Sequence, residues 1–275
     1  MKKILTIQDF SCIGKCSLTV ALPIISAFGV ETCALPTALL STHTQFENWT
    51  FFNLCPQITP ITTAWEKENI KFDGIYTGYL GAIDLIETTK NIINNFVKPN
   101  GIIMIDPAMG DNGELYKGFD ADYVKATKTL CAMADVITPN VTEAAFMLGK
   151  EYKNEYDYDY LLSLCKELQK NGACDVVITG VKRDNENVGA FCLLNGNQVF
   201  EYYTKRETKD FHGTGDIFSS IVYGALMNGK TLPQAIEFAC NFTKHCIGVT
   251  LKDNNHSFYA VNFEQCIGEI SDFIK

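Results

Sequence analysis

Eleven cysteines are scattered through the 275 residues, yet no two stand in a C-x-x-C arrangement. With an odd count as well, a disulfide framework or a cysteine-based zinc motif is disfavoured. Several cysteines lie in apolar runs, as in Leu164-Cys-Lys and Phe238-Ala-Cys240, and read as buried thiols of a reducing cytosol. Clustered basic residues are also missing. Lysine and arginine number 23 against 32 acids, a net charge of −9. That balance disfavours nucleic acid or an anionic membrane as the main partner. A phosphate ligand would have to be held by local backbone donors and a metal, because the overall field repels it. No uninterrupted apolar run is long enough to span a bilayer. The weakly charged region from Cys16 to Phe46 is broken by Pro23, Gly29, Glu31 and Pro36. The start, Met1 to Asp9, has two lysines but too short an apolar stretch for a signal peptide. Linkers, low-complexity tracts and repeats are absent too, so a single domain over 1–275 is expected.

Two phosphate-binding signatures fail as well. Cys12-Ile-Gly-Lys-Cys-Ser17 looks like the end of a Walker A loop, but Asp9 stands where its first glycine belongs, and Cys16 replaces the Ser/Thr after Lys15. No dinucleotide G-x-G-x-x-G follows the first strand.

What is present is alternation. Short β-branched runs at residues 3–7, 31–35, 73–77, 101–105, 136–138 and 176–179 read as strands. Helical-period segments fall at 18–28, 58–69, 83–96, 123–133, 142–148 and 158–171. The strands are continuous apolar runs, as expected for a sheet covered on both faces. The pattern predicts βαβ units and a parallel sheet. Residues 190–203 predict an antiparallel hairpin turning at Asn195-Gly196, followed by mainly helical chain. In open parallel sheets, ligands bind at the carboxyl ends of the strands. Asp9, Tyr79, Asp106-Pro, Thr138-Pro-Asn140 and Thr179-Gly are placed there.

Gly213-Thr-Gly-Asp216 precedes an apolar stripe of Ile217, Phe218, Ile221, Val222, Ala225 and Leu226 at helical spacing. Small Ser219, Ser220 and Gly224 would let this helix pack closely. Glycines that turn the backbone inward, joined to the free N–H groups of a helix start, make a cradle for an oxyanion. A carboxylate beside such a cradle suits phosphoryl transfer, where the acceptor hydroxyl must lose its proton. A plain turn with an N-terminal helix charge explains the motif alone about equally well.

The set Thr6-Ile-Gln8, Ser41-Thr-His-Thr-Gln45, Gly78-Tyr-Leu-Gly81, Asp106-Pro-Ala-Met-Gly-Asp111, Ile137-Thr-Pro-Asn-Val-Thr-Glu143 and Gly213-Thr-Gly-Asp216 runs nearly end to end. In this order it resembles the ribokinase superfamily, and within it the pyridoxal/pyridoxamine kinases. The resemblance implies a three-layer αβα sandwich with a central, mostly parallel sheet, a homodimer, Mg²⁺ and help from a monovalent cation such as K⁺. It implies ATP-dependent phosphorylation of the 5′-hydroxymethyl group of a B6 vitamer.

By the same resemblance, Asp216 is the base and Gly213, Thr214 and Gly215 form the anion hole. Asp106 and Glu143 hold the metal, with Asn140. Asp106, Thr138, Asn140, Glu143, Thr179 and Thr214 face the nucleotide, and Asp111 matches a second acidic position. Asp9, Thr44, Gln45 and Tyr79 face the vitamer, with His43 beside them. Each has a plainer reading: Asn140 to Glu143 as a helix cap, Asp111 as a solvated turn, Thr138 and Thr179 as strand residues, His43 as structural, Tyr79 as core. Asp9 departs from the family's Gln-Ser. A carboxylate there could pair with a cationic amine or a protonated ring nitrogen. It also leaves room for hydroxymethylpyrimidine as substrate. A nucleotide-binding protein without catalysis is the other alternative, opposed by the intact Asp216 motif.

Overall fold

Neighbouring side chains on each central strand enter different cores. In β1 (Lys3–Ser11), Ile4 joins one apolar cluster and Leu5 the other. The same split separates Ile75 from Tyr76 in β4 (Phe72–Thr77), and Ile105 from Met104 in β5 (Val97–Ile105). It recurs for Ile137 and Val136 in β8 (Val136–Ile137), and for Val176 and Val177 in β9 (Asp175–Lys182). Period-two strands with apolar residues on both sides demand a helix layer on each face. The protein, seen as a computed structural model describing residues 1–172, 175–195, 197–209 and 211–275, supplies both.

One layer holds α2 (Cys55–Lys67), α3 (Ile83–Phe96), α4 (Ala121–Cys131), α5 (Val141–Met147) and α6 (Tyr158–Lys170). The other holds α1 (Leu18–Ala27), α7 (Thr214–Met227), α8 (Leu232–Lys252) and α9 (Gly268–Ile274). Each fully buried aliphatic side chain in these clusters contributes roughly 1.5–3 kcal/mol. Gly224 of α7 lets the helix meet α1, since an added Cβ would lie 2.3 Å from the Phe28 ring.

The remaining strands are β2 (Glu31–Leu40), β3 (Phe51–Asn53), β10 (Asn187–Leu194) and β11 (Gln198–Lys205). The nine-stranded sheet runs β11-β10-β9-β8-β5-β4-β1-β2-β3, parallel from β9 to β2 and antiparallel at its edges. The expected three-layer sandwich and the late hairpin are both there. The expected turn residue Gly196 lies outside the described residues.

Three boundaries differ from the sequence reading. Strand β1 does not stop before Asp9. A register shift between Gln8 and Phe10 carries it to Ser11, so Asp9 lies inside the strand at an irregularity that re-aims its side chain. Likewise Thr179 is inside β9, where the pairing with β10 is irregular and Gly180 has φ +64°. Asp111 is not in a loose turn. Strands β6 (Gly110–Asp111) and β7 (Glu114–Leu115) form a hairpin through Asn112 (φ 51°) and Gly113 (φ +81°), the pair of positive angles a tight two-residue turn needs.

Candidate active site

The carboxyl ends of the strands are tied to one another beyond the regular ladder. Gly78 N–H donates to Ile7 O (3.3 Å), Asp106 N–H to Thr77 O (2.9 Å), Thr138 N–H to Ile105 O (3.1 Å) and Thr179 N–H to Pro139 O (2.9 Å). These bonds set the side chains following each strand in one row. Opposite the row stands the first turn of α7. Gly213 caps it at φ +79°, and an added Cβ there would lie 2.1 Å from Lys15 O. Only glycine fits this approach of the Gly14–Ser17 loop. Thr214 Oγ1 donates to Phe211 O (3.2 Å), which ties the turn to the segment before it. An added Cβ on Gly215 meets nothing within 4 Å, so the mouth of the turn is open.

Asp216 is half-buried in this turn. Burial, then the charge of Asp106 and more weakly that of Asp9, push its pKa up to about 7, against the Ser17 backbone N–H, which favours the ionised form. Asp106 accepts from Ser219 Oγ (2.8 Å) and Ala108 N–H (3.2 Å), while burial pushes it up to about 6. Asp9 is 5% exposed, accepts from Ser11 Oγ (3.3 Å), and is raised by burial. The charges of Asp216 and Asp9 both add to the burial that raises the Cys16 thiol, keeping it neutral. Among the described residues none of these carboxylates, nor Glu143, has an ion pair. Among the described residues no lysine or arginine pairs with them to relieve their mutual repulsion.

Asn140 and Glu143 form a capping box at the start of α5. Glu143, 3% exposed, accepts from the N–H groups of Asn140 (2.9 Å), Met109 (2.9 Å) and Gly110 (3.4 Å). Asn140 Nδ2 donates to Gly110 O (2.8 Å), and Gly113 N–H donates to Thr142 Oγ1 (3.0 Å). The segment is therefore both a helix cap and a clamp on the β6–β7 hairpin. Burial and the charge of Asp106 push Glu143 up to about 8 despite its N–H donors.

The expected nucleotide residues divide. Asn140, Thr179 and Asp111 line a cleft of about 400 Å³, counting space open to solvent. Thr138 lies behind it. At 2% exposure, its hydroxyl donates to Ser219 Oγ (3.1 Å), whose own proton goes to Asp106. It steadies Asp106 from within the core.

Of the residues expected to face the vitamer, Thr44 and Gln45 are exposed and Tyr79 is half-buried, stacked on Phe119 at 5.4 Å. The charge of Asp9 adds to the burial that raises the Tyr79 hydroxyl, so the two share one space. His43 is buried and structural. Gln45 N–H donates to Nδ1 (3.1 Å) and Nε2–H donates to Tyr259 O (3.2 Å), which fixes a neutral tautomer. Its ring stacks on His212 at 5.8 Å and fills the space a Gly14 side chain would need. The Thr44–Gln45 loop is thereby tied to the α7 turn.

Several residues went unnoticed in the sequence. Ser219 was read only as a small packing residue. Ser17, buried, adopts φ 48° and ψ −128°, a conformation costing a non-glycine residue of order 1–3 kcal/mol. Its N–H lies near Asp216 and its hydroxyl near Asp9, and each favours the ionised form of its neighbour. Tyr152, Tyr156 and Lys182 also line the cleft. A hydroxyl or aromatic of this kind carries no spacing signal.

The chain matches the phosphomethylpyrimidine kinase family model over residues 22–261. It belongs to that family. Among relatives, pyridoxal kinase PdxY of Histophilus somni is 29% identical over 257 residues, covering 88% of this chain and 86% of its own. Pyridoxal kinase of Dictyostelium discoideum is 27% identical over 245 residues, covering 81% and 77%. A Bacteroides thetaiotaomicron protein, provisionally described as a phosphomethylpyrimidine kinase and crystallised with pyridoxal, is 35% identical with a TM-score of 0.93, covering 98% and 96%. Pyridoxal kinase of Lactobacillus plantarum is 29% identical with a TM-score of 0.91, covering 99% and 97%. The fold is that of these ribokinase-superfamily kinases.

Proposed function

We propose that this family member is an ATP-dependent kinase that phosphorylates the 5′-hydroxymethyl group of a B6 vitamer. The observation that carries the reading is Asp216, a carboxyl raised to about 7 in the first turn of a helix whose N-terminal amides open on an uncrowded space. A base of that strength is matched to a neutral working pH. Asp216 takes the proton of the vitamer hydroxyl as the new O–P bond forms. The amides around Gly213–Gly215 receive the migrating phosphoryl group. Nucleotide lies along the cleft of Asn140 and Thr179, and the vitamer between Asp9, Tyr79 and the Thr44–Gln45 loop.

Mg²⁺ fits the donor set. Asp106 has an acceptor bond on each oxygen and lone pairs to spare, whereas both oxygens of Glu143 are engaged with backbone N–H groups. Among the described residues, no three acidic, His or Cys ligand atoms converge within 4.8 Å at this end of the sheet. Asp106 would thus hold the ion, with Glu143 supporting it from behind, as suits an ion that needs only one or two carboxylates. Bound there, Mg²⁺ would neutralise charge on the nucleotide phosphates.

Steady-state kinase assays with Mg-ATP over pyridoxal, pyridoxine, pyridoxamine and hydroxymethylpyrimidine test the reading. Highest kcat/KM with a B6 vitamer supports it; turnover of the pyrimidine alone, or of none, overturns it. The pyrimidine remains the second reading because the family model carries that name. Running the panel in K⁺ and Na⁺ salts reads the cation dependence. The edge strand β3 exposes Phe51 and Phe52, the latter 64% exposed, beside Trp49 and Leu39. That apolar edge supports a homodimer, which sedimentation would reveal. No described helix is long and apolar enough to cross a membrane, and the described cysteines are all free thiols, which supports a cytoplasmic setting.

A further inference from the structure

Near the C-terminus three side chains of unlike chemistry converge. Helix α8 supplies His245. A 3-10 turn at Phe263–Gln265 ends in Cys266, and Glu269 follows three residues later in α9. An imidazole nitrogen, the Cys266 sulfur and a Glu269 carboxylate oxygen all lie within 4.8 Å of one another. His245 Nδ1 already touches Glu269 Oε1 at 2.5 Å. We propose that His245, Cys266 and Glu269 form a site for a thiophilic divalent cation of the zinc type, separate from the kinase centre.

The donor set selects the ion. Thiolate, imidazole and carboxylate together suit zinc, whereas magnesium and calcium want oxygen alone. With arms of 2.0–2.3 Å, the ligand atoms of a tetrahedral site stand about 3.3–3.8 Å apart. The present spacing needs a small adjustment. His245 and Glu269 part by about 1 Å, and both are free to turn, with side chains 54% and 40% exposed. Cys266 is the sheltered member.

Burial and the charges of Glu264 and Glu269 raise the Cys266 thiol, so the ion has to displace its proton. Cys246 is buried close behind it. The fourth position opens to solvent and takes water. Binding displaces the thiol proton, so affinity rises with pH. The ion ties α9, a seven-residue helix, to α8. An ion pair alone would need only His245 and Glu269; the sulfur makes the difference.

The full-length protein, stripped of metal by dialysis against a chelator, is titrated with Co²⁺ and with Zn²⁺. A sulfur-to-cobalt charge-transfer band that saturates at one equivalent is expected, absent in Cys266→Ser. Calorimetric Zn²⁺ affinity should fall at least tenfold in His245→Gln and in Glu269→Gln, both surface changes that leave the fold intact. No band, a band undiminished in Cys266→Ser, or Zn²⁺ affinity unmoved in both surface variants would overturn the site. So would a Cys246–Cys266 disulfide found by mass spectrometry in the freshly purified protein.

Discussion

Asp106 raises the proton affinity of Asp216. The two carboxylates come from opposite walls, one from the end of β5 and one from the first turn of α7. After burial itself, the charge of Asp106 is the largest cause holding Asp216 near pKa 7. A base must be ionised to act, so kcat/KM should rise with pH through about 7 and level above it. In Asp106→Asn the rising limb should move to lower pH, since the repelling charge is gone. A limb left in place would mean another group sets it. Asp216→Asn should lose about 10²- to 10⁴-fold in kcat with an unchanged circular dichroism spectrum.

The same repulsion bears on stability. Asp106, Asp216 and Glu143 have folded pKa values of about 6, 7 and 8, above the ordinary carboxylate range. Between that range and pH 8 the native state holds protons that the unfolded chain has released. The stability these groups contribute is present below about pH 4 and is lost as pH rises through 6 to 8. Urea midpoints of the ligand-free protein, with Mg²⁺ chelated, should therefore decline from pH 5 to pH 8. The decline should be shallower in Asp216→Asn. A rise over that window would contradict the arrangement.

Two glycines of the same turn should answer differently to one methyl group. At Gly213, alanine meets φ +79° and a carbonyl at 2.1 Å. It should cost more than about 1 kcal/mol in denaturant melts and abolish turnover. At Gly215, inside α7, the new methyl meets no protein atom within 4 Å and improves helix propensity. Gly215→Ala should melt at or above wild type, by up to about 1 kcal/mol. Its turnover should still fall at least tenfold if the phosphoryl group passes over this turn as proposed, since the methyl would occupy that space. Wild-type turnover in Gly215→Ala would place the phosphoryl group elsewhere.

How much of this was legible depended on the kind of signal. The strand cores at Ile75–Tyr76 and Met104–Ile105 announced themselves as apolar runs, and the α7 stripe by its period. The Gly213–Asp216 turn was readable as a turn from its two glycines just ahead of that stripe. Asp9 was misplaced outside its strand because a polar pair, Gln8-Asp9, looks like a strand end. The register shift that keeps it in the sheet is a property of two strands, not of one. The β6–β7 hairpin was missed for a similar reason: strands of two residues have no periodicity. It persists through the Asn140, Thr142 and Glu143 clamp from a helix further along the chain.

Ser219 illustrates the residues that sequence leaves silent. Its hydroxyl links Thr138 to Asp106, and that bond lowers the Asp106 pKa. Ser219→Ala removes a bond to a charged group, worth roughly 1.5–3 kcal/mol. Asp106 should then hold its proton to higher pH. The apparent KM for Mg-ATP should rise about tenfold or more at pH 6 and recover in part at pH 8, where Asp106 is ionised. A pH-independent KM equal to wild type would show that Ser219 only packs.

Asp9 is where substrate preference should be decided. Its carboxyl is buried and raised by burial, while a hydrogen bond from Ser11 Oγ and the nearby Ser17 hydroxyl favour the ionised form. A charge so placed gains most from a cation brought by the ligand, and the amine of pyridoxamine is one. A charge-assisted hydrogen bond is worth roughly 1.5–3 kcal/mol, or about tenfold to a hundredfold in kcat/KM. Asp9→Ser should therefore lower the ratio of pyridoxamine to pyridoxal turnover by about that factor. The loss should fall mainly in KM, because the pair with the amine is made in the ground state as fully as in the transition state. Since burial opposes the Asp9 charge, the same variant should also be more stable at pH 8 without ligand. An unchanged vitamer ratio beside raised stability would make Asp9 a strained neighbour of Asp216 and not a specificity residue.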